Sequence, residues 1–258
     1  QRQMCIRDRN KGLSHYMKHI IRIIQIILIV VIVVFTYQII KIYVQDKDEQ
    51  ESYAKIQKKF KTLSNEHQSS VRPQFESLEK INKDIVGWIQ LEGTSLNYPI
   101  LQGKTNHEYL NLDFEREQRR KGSIFMDYRN SLNPLDKNTV IYGHHIGDQT
   151  MFDVLDDYLK QSFYDKHKVI HFDTKYGKYQ LQIFSAFKTT SNDNYIQTTF
   201  DNDEQFKAFL LKTKKRSLIK TNVDVNEGDK IVTLSTCEDA FRQTAGRIAV
   251  VAKLTKIN

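Results

Sequence analysis

Apolar residues follow three different patterns along this chain. From Ile20 to Val44 ("IIRIIQIILIVVIVVFTYQIIKIYV") nearly every position is Ile, Val or Leu, and the main breaks from Ile23 onward are Gln25 and Thr36 to Gln38. About 20 such residues cross a bilayer core of roughly 30 Å as a helix. A buried core helix would show one apolar stripe, and this run is apolar on every side. No small-residue cleavage motif follows it, so residues 20–44 are expected to form an uncleaved signal-anchor. The second pattern is helical. Tyr53, Ile56, Phe60 and Leu63, then Phe75, Leu78 and Ile81, recur at spacings of three and four with a break at Pro73. That predicts a helical stalk and lid over 45–82, with a boundary near Asn82 to Gly87. The third pattern has a period of two. "GWIQLEGTSLNYPIL" reads as two strands about a turn, followed by "GSIFMDYR", "NTVIYGHH", "KVIHFDT", "KYQLQIFSAFKTT", "DKIVTLSTC" and "RIAVVAKLTKI". Turn signals such as "NPLDKN", "TKYGK" and "NEGDK" separate them. Eight short strands at this spacing predict a mainly β domain over 83–258, closed as a barrel. Two helical pieces interrupt it, at 149–167 and at 202–219. The second places Phe206, Phe209, Leu210 and Thr213 on one face, ahead of the strand that ends at Cys237.

Charge changes the meaning of the first pattern. The chain carries a net +8, which alone would suggest a nucleic-acid partner. Residues 1–44 hold seven Lys/Arg and one acid, a net +6, which leaves +2 for everything beyond. The basic excess therefore flanks the apolar run. This is the positive-inside pattern, with residues 1–19 cytoplasmic and the bulk of the chain outside a single-pass anchor; no nucleic-acid partner is expected. The chain begins at Gln1, and "MKHIIRIIQ" from Met17 reads as a natural start, so residues 1–16 are expected to be non-native and Cys5 carries no weight.

The exported part then has one cysteine, Cys237, and no internal disulfide partner. A lone thiol is either a small buried hydrophobe or a nucleophile, and a nucleophile needs an acid-base partner and donors for an oxyanion. Of eight histidines, His15 and His19 precede the span, His67 lies in the stalk, His107 in a loop, and His167 and His171 in charged surroundings. His144 and His145 remain, at the tip of "VIYGHHIGD", where strand ends carry functional loops. Two adjacent histidines also fit a metal, but zinc sites take three or four ligands and no second exported cysteine exists. Asp153, Asp156 and Asp157 lie at helical spacing and read as a solvated face, so no metal is expected. Spacing alone leaves the Cys–His pair and the inert thiol both open, and reads Arg247 most simply as a cross-strand ion pair.

"TLSTC" ending one strand, an arginine in the next and "YGHH" after an earlier strand resemble the sortases, the cysteine transpeptidases of Gram-positive cell walls. "RPQFESLEKINKDIVGWIQLEGTSLNYPILQGKTNHEYLNLDFE", "KGSIFMD", "TMFDVLDDYLKQSFY" and "KYGKYQLQIFSAFKTT" are similar to the class B members, most to the staphylococcal form, from about residue 20 to the end. The resemblance implies a sortase-type eight-stranded barrel with Cys237 as nucleophile, His144 as the catalytic histidine and Arg247 as the arginine. His145 matches a position that is not catalytic. Asp239 and Glu238 match supporting or groove positions, and Asn106, Leu110, Tyr142, Tyr195, Ile196 and Ser235 match positions that line the substrate groove. The implied reaction cleaves an NPQTN-like C-terminal sorting signal after Thr, forms a thioester, and passes the acyl group to an oligoglycine amine on a lipid-linked peptidoglycan precursor. Haem-iron acquisition surface proteins are the implied substrates, and no cofactor is implied.

Overall fold

The structure, a computed structural model, describes residues 2–63, 72–237 and 244–257, with side chains from residue 17 onward and excluding that of Cys237. Two units divide the chain, one ending at Ser52 and the other beginning at Tyr53. Helix α1 (Arg2–Leu63) runs unbroken through the apolar segment. Met17–Thr62 contains a stretch long and apolar enough to cross a membrane, and none of that stretch is buried. Its Ile, Val and Leu side chains are exposed from Ile20 to Val44, a surface that only a lipid phase or another apolar body would cover.

In the second unit the end of α1 packs on the barrel. Tyr53 and Ile56 are buried in the main core. The Phe60 ring stacks on Trp88 at 4.1 Å and meets Phe75 edge-on at 5.5 Å. Phe75 and Leu78 are the apolar face of α2 (Pro73–Glu79), whose proline fills a first-turn position where its missing N–H is no loss. Ile81, the last member of that predicted series, is exposed.

Eight strands follow: β1 (Ile85–Gln90), β2 (Asn97–Leu101), β3 (Ile124–Met126), β4 (Asn138–Tyr142), β5 (Val169–Thr174), β6 (Gly177–Thr190), β7 (Ile231–Cys237) and β8 (Gly246–Ile257). They close a barrel in the order β1-β2-β3-β4-β7-β8-β6-β5. The pairs β2/β3 and β4/β7 are parallel and the others antiparallel. The period of two is visible in β8, where Ile248, Val250 and Ala252 enter the main core while Ala249 and Val251 join a second cluster. Helix α5 (Asp203–Lys215) covers that second cluster with Phe206, Phe209, Leu210 and Thr213, the face the sequence predicts. Asn202 caps it by accepting from Gln205 N, and acids lead and lysines end it, as the helix dipole favours.

The predicted helix over 149–167 is instead two single turns, α3 (Val154–Asp157) and α4 (Gln161–Tyr164). Gln149 and Met151 have φ of 67° and 52°, and Lys160 is extended, so no continuous helix forms. Asp153 explains the first break: its carboxylate accepts from Ile146 N (2.5 Å) and Gln149 N (2.7 Å) and folds the 146–153 loop back on itself. With a side chain 8% exposed, Asp153 is a buried loop anchor rather than part of a solvated face.

Candidate active site

Strand register sets Cys237 beside Arg247 and brings the end of β4 alongside β7. Asn138 pairs with Ile231 and Tyr142 with Ser235, a constant offset of 93 along the parallel pair β4/β7. Gly143 N donates to Ser235 O at 3.2 Å and closes the ladder. The pairing ends at Tyr142, and His144 follows two residues later in the segment beyond β4. On the other side of β7, Cys237 pairs with Arg247. Neighbouring strands are about 4.8 Å apart, so positions 237 and 247 are side by side across β7 and β8.

Local chemistry fixes the histidine. Gly143 lets the chain pass close over Phe152, because a Cβ there would lie 2.7 Å from the ring. Phe152 N then donates to His144 O at 3.0 Å. His144 Nε2 lies 2.7 Å from Leu110 O. A carbonyl only accepts, so Nε2 carries the hydrogen and Nδ1 is the nitrogen left to exchange a proton. Leu110 ends a 3₁₀ turn, Glu108–Leu110. That turn is held from below by Tyr109, whose hydroxyl donates to Asp84 at 2.7 Å, and by Arg116, which bonds Asp84 at 2.6 Å and Glu108 at 2.7 Å. His145 turns away: its Nε2 is 3.9 Å from the Asp153 carboxylate.

A cleft of about 360 Å³ opens where the ends of β4 and β7 meet the start of β8. Asn106, Leu110, Tyr142, His144, Tyr195, Ile196, Ser235 and Arg247 all line it. Tyr195 Oη and Ser235 Oγ share a buried hydrogen bond of 2.7 Å. Arg247 uses Nη1 to donate to Thr244 O (2.8 Å) and Gly246 O (2.7 Å). Those two bonds consume two of the five guanidinium hydrogens, and no cross-strand ion pair to Arg247 exists among the described residues. Glu238 and Asp239 lie outside the described residues. The sequence reading set His107 aside as a loop residue and did not single out Phe125, Ser191 or Thr236; all four line the cleft. Phe125 and Thr236 belong to legible strands, but which strand ends converge is a matter of topology.

The wall carrying Tyr195 and Ile196 is strapped to the barrel by Asp193. Its carboxylate accepts from Lys212 Nζ (2.8 Å), Thr189 Oγ1 (2.9 Å) and Arg216, whose guanidinium lies 3.7 Å over the Phe187 ring. Burial pushes this carboxyl up, but the bonds from Lys212, Arg216 and Thr189 outweigh it and hold the group well below the ordinary carboxylate range. A depressed folded-state pKa stabilises above the unfolded value of about 3.9 and is lost as pH falls below it. Asp193→Asn is therefore expected to melt earlier than the parent at pH 7, with the gap narrowing toward about pH 2. Thermal scans at both pH values check this, and an equal gap at both would remove the charge from the explanation.

A family model described as the sortase domain matches residues 89–255. Sortase B of Staphylococcus aureus is 64% identical over 242 residues, covering 94% of this chain and 99% of its own length. The solved Staphylococcus aureus sortase B–substrate complex superposes with a TM-score of 0.80 at 66% identity, over 83% of this chain and 100% of that one. A sortase B structure complexed with triglycine gives a TM-score of 0.79 at 67% identity, over 83% and 100% of the two chains.

Proposed function

The chain belongs to the sortase family, as a sortase B and hence a cysteine transpeptidase, and on that premise we propose that Cys237, His144 and Arg247 carry its chemistry on an NPQTN-like sorting signal. The pairing of Cys237 with Arg247, beside a cleft that His144 and Arg247 both line, is the observation that carries this reading. In the first half-reaction the Cys237 thiolate attacks the carbonyl carbon after Thr. A C–S bond forms, the carbonyl π pair moves to oxygen, and the guanidinium hydrogens that Arg247 has left over face that developing charge. The oxyanion collapses, the Thr–Asn C–N bond breaks, and His144 Nδ1–H gives its proton to the leaving nitrogen. A thioester remains on Cys237. In the second half-reaction an amine attacks that thioester, Nδ1 takes the proton it sheds, and the thiolate leaves as a new C–N bond forms. Asp239 and Glu238 are proposed as supporting acids beside the nucleophile.

Asn106, Leu110, Tyr142, Tyr195, Ile196 and Ser235 are proposed to bind the signal peptide, since they line the same cleft as His144 and Arg247. The names of the related structures, a substrate complex and a triglycine complex, support a peptide donor and a glycine amine as acceptor. A lipid-linked peptidoglycan precursor with an oligoglycine branch supplies such an amine, and haem-iron acquisition proteins are the proposed donors. Residues 20–44 anchor the chain, 45–82 form stalk and lid, and 83–258 the catalytic barrel. Basic residues ahead of the span favour a cytoplasmic amino end and an extracellular catalytic domain.

The test is product analysis. The full-length chain in detergent is offered a fluorogenic NPQTN peptide or an LPETG peptide, with and without triglycine. Mass spectrometry is expected to find NPQT–triglycine as the main product. Cleavage to free acid alone, with triglycine present, would make the protein a peptidase in practice. Preference for LPETG would overturn the signal assignment.

A further inference from the structure

Asp127 follows β3 and is 0% exposed, yet it serves as an anion with several donors. Arg129 N and Nε each reach Oδ1 at 2.9 Å, and Arg129 Nη2 reaches Oδ2 at 2.7 Å. Tyr142 Oη donates to Oδ2 at 2.8 Å and Asn106 Nδ2 at 3.0 Å. Burial pushes this carboxyl up, but donation from Arg129, then Tyr142 and Asn106, outweighs it and leaves the group below its ordinary range. The same Arg129 Nη2 donates to Ile196 O at 3.2 Å. Asn106, Tyr142 and Ile196 lie on three separate chain segments, and all three line the cleft. A buried carboxylate is a poor way to gain stability alone, because an apolar replacement often does as well. Here it does something an apolar group cannot, which is to hold several donors at one point.

We propose that Asp127 is a positioning residue for acyl-donor recognition: its carboxylate fixes Asn106 and Tyr142 and, through Arg129, the Ile196 carbonyl, so that three segments lining the cleft keep one arrangement. This rests on the reading that the cleft takes the sorting signal. A preorganised cleft spares the peptide the ordering of those side chains, so the loss falls on donor binding rather than on the chemical step. Asp127→Asn keeps the shape but turns an amide NH₂ toward groups that are themselves donors. At least two of them lose their acceptor.

Donor KM, acceptor KM and kcat are measured on full-length wild type, Asp127→Asn, Arg129→Gln and the double variant, with NPQTN peptide and triglycine. Folding is followed by melting temperature and by fluorescence of Trp88, the single tryptophan. Wild type that joins neither peptide would sink the underlying reading before any variant is compared. With wild type active, donor KM is expected to rise about ten-fold or more in each single variant. The acceptor KM and kcat should stay within about three-fold, and the double variant should be little worse than either single. A merely structural residue would move all three parameters together. If Asp127→Asn does not fold, Arg129→Gln, whose side chain is 40% exposed, decides the matter by the same measure. A folded variant with unchanged donor KM, or with kcat alone reduced, overturns the proposal.

Discussion

His144→Gln is expected to lower kcat/KM for peptide joining by about 10³-fold while leaving the fold intact. The glutamine amide can still donate to Leu110 O, the bond that holds Nε2 at 2.7 Å in the native chain. What it cannot do is release and recover a proton. The leaving nitrogen must then depart unprotonated, and the incoming amine must keep its proton through the attack. General acid–base groups typically supply 10²–10⁴-fold, and a 10³-fold loss corresponds to about 4 kcal/mol of barrier. Steady-state kinetics with NPQTN peptide and triglycine measure the loss. The melting temperature should change little, since one surface-near hydrogen bond is kept. Activity within about ten-fold of wild type would remove His144 from the proton path. In that case the imidazole would be one more polar group on the cleft wall.

The barrel was legible because strands with one buried face write a period of two into the sequence. All eight predicted strands are present, and the face of α5 was readable because four buried residues recur at helical spacing. The site was legible only in part. Residue 144 is far from 237 and 247 in the chain, and spacing gives no hint that β4 runs parallel on one side of β7 while β8 pairs antiparallel on the other, so that His144 and Arg247 line one cleft. Family resemblance supplied what local pattern could not. Asp153 was misjudged and Asp127 passed over for a different reason. Asp153 reads as exposed at helical spacing, and nothing in "IFMDYR" singles out Asp127. Both are buried by groups from elsewhere, the backbone of 146–149 for one and Asn106, Arg129 and Tyr142 for the other. A side chain's hydrogen-bond partners are a property of topology, and topology is not written in a five-residue window. His107 shows the same limit, since a loop residue becomes a wall residue once the loop is folded against β4.

Gly122→Ala should damage stability and turnover together, and the reason runs from one missing Cβ to the His144 imidazole. Gly122 has φ of +55°, a region where a side chain costs about 1–2 kcal/mol. A Cβ there would lie 2.3 Å from Leu110 O and 2.6 Å from Tyr109 O, both backbone atoms that cannot swing aside. Overpacking of this kind adds about 1–3 kcal/mol. Together these predict a loss of roughly 2–5 kcal/mol, or a fall in melting temperature of about 5–15 °C for a domain of this size. The structure cannot relieve the contact by moving Gly122 freely. Its neighbour Lys121 is buried and paired with Asp148 at 2.7 Å, and Ser123 N donates to Tyr109 O at 3.0 Å. The displaced atom is therefore Leu110 O, the acceptor that sets the His144 ring. A shift of about 1 Å at a catalytic group can cost 10²-fold in rate, so kcat should fall by about that factor even well below the new melting temperature. Parallel thermal scans and kinetics on the full-length chain test both halves. If the variant melts as wild type does, the strained contact is absent. If it melts early but turns over normally, the carbonyl of residue 110 does not govern the imidazole.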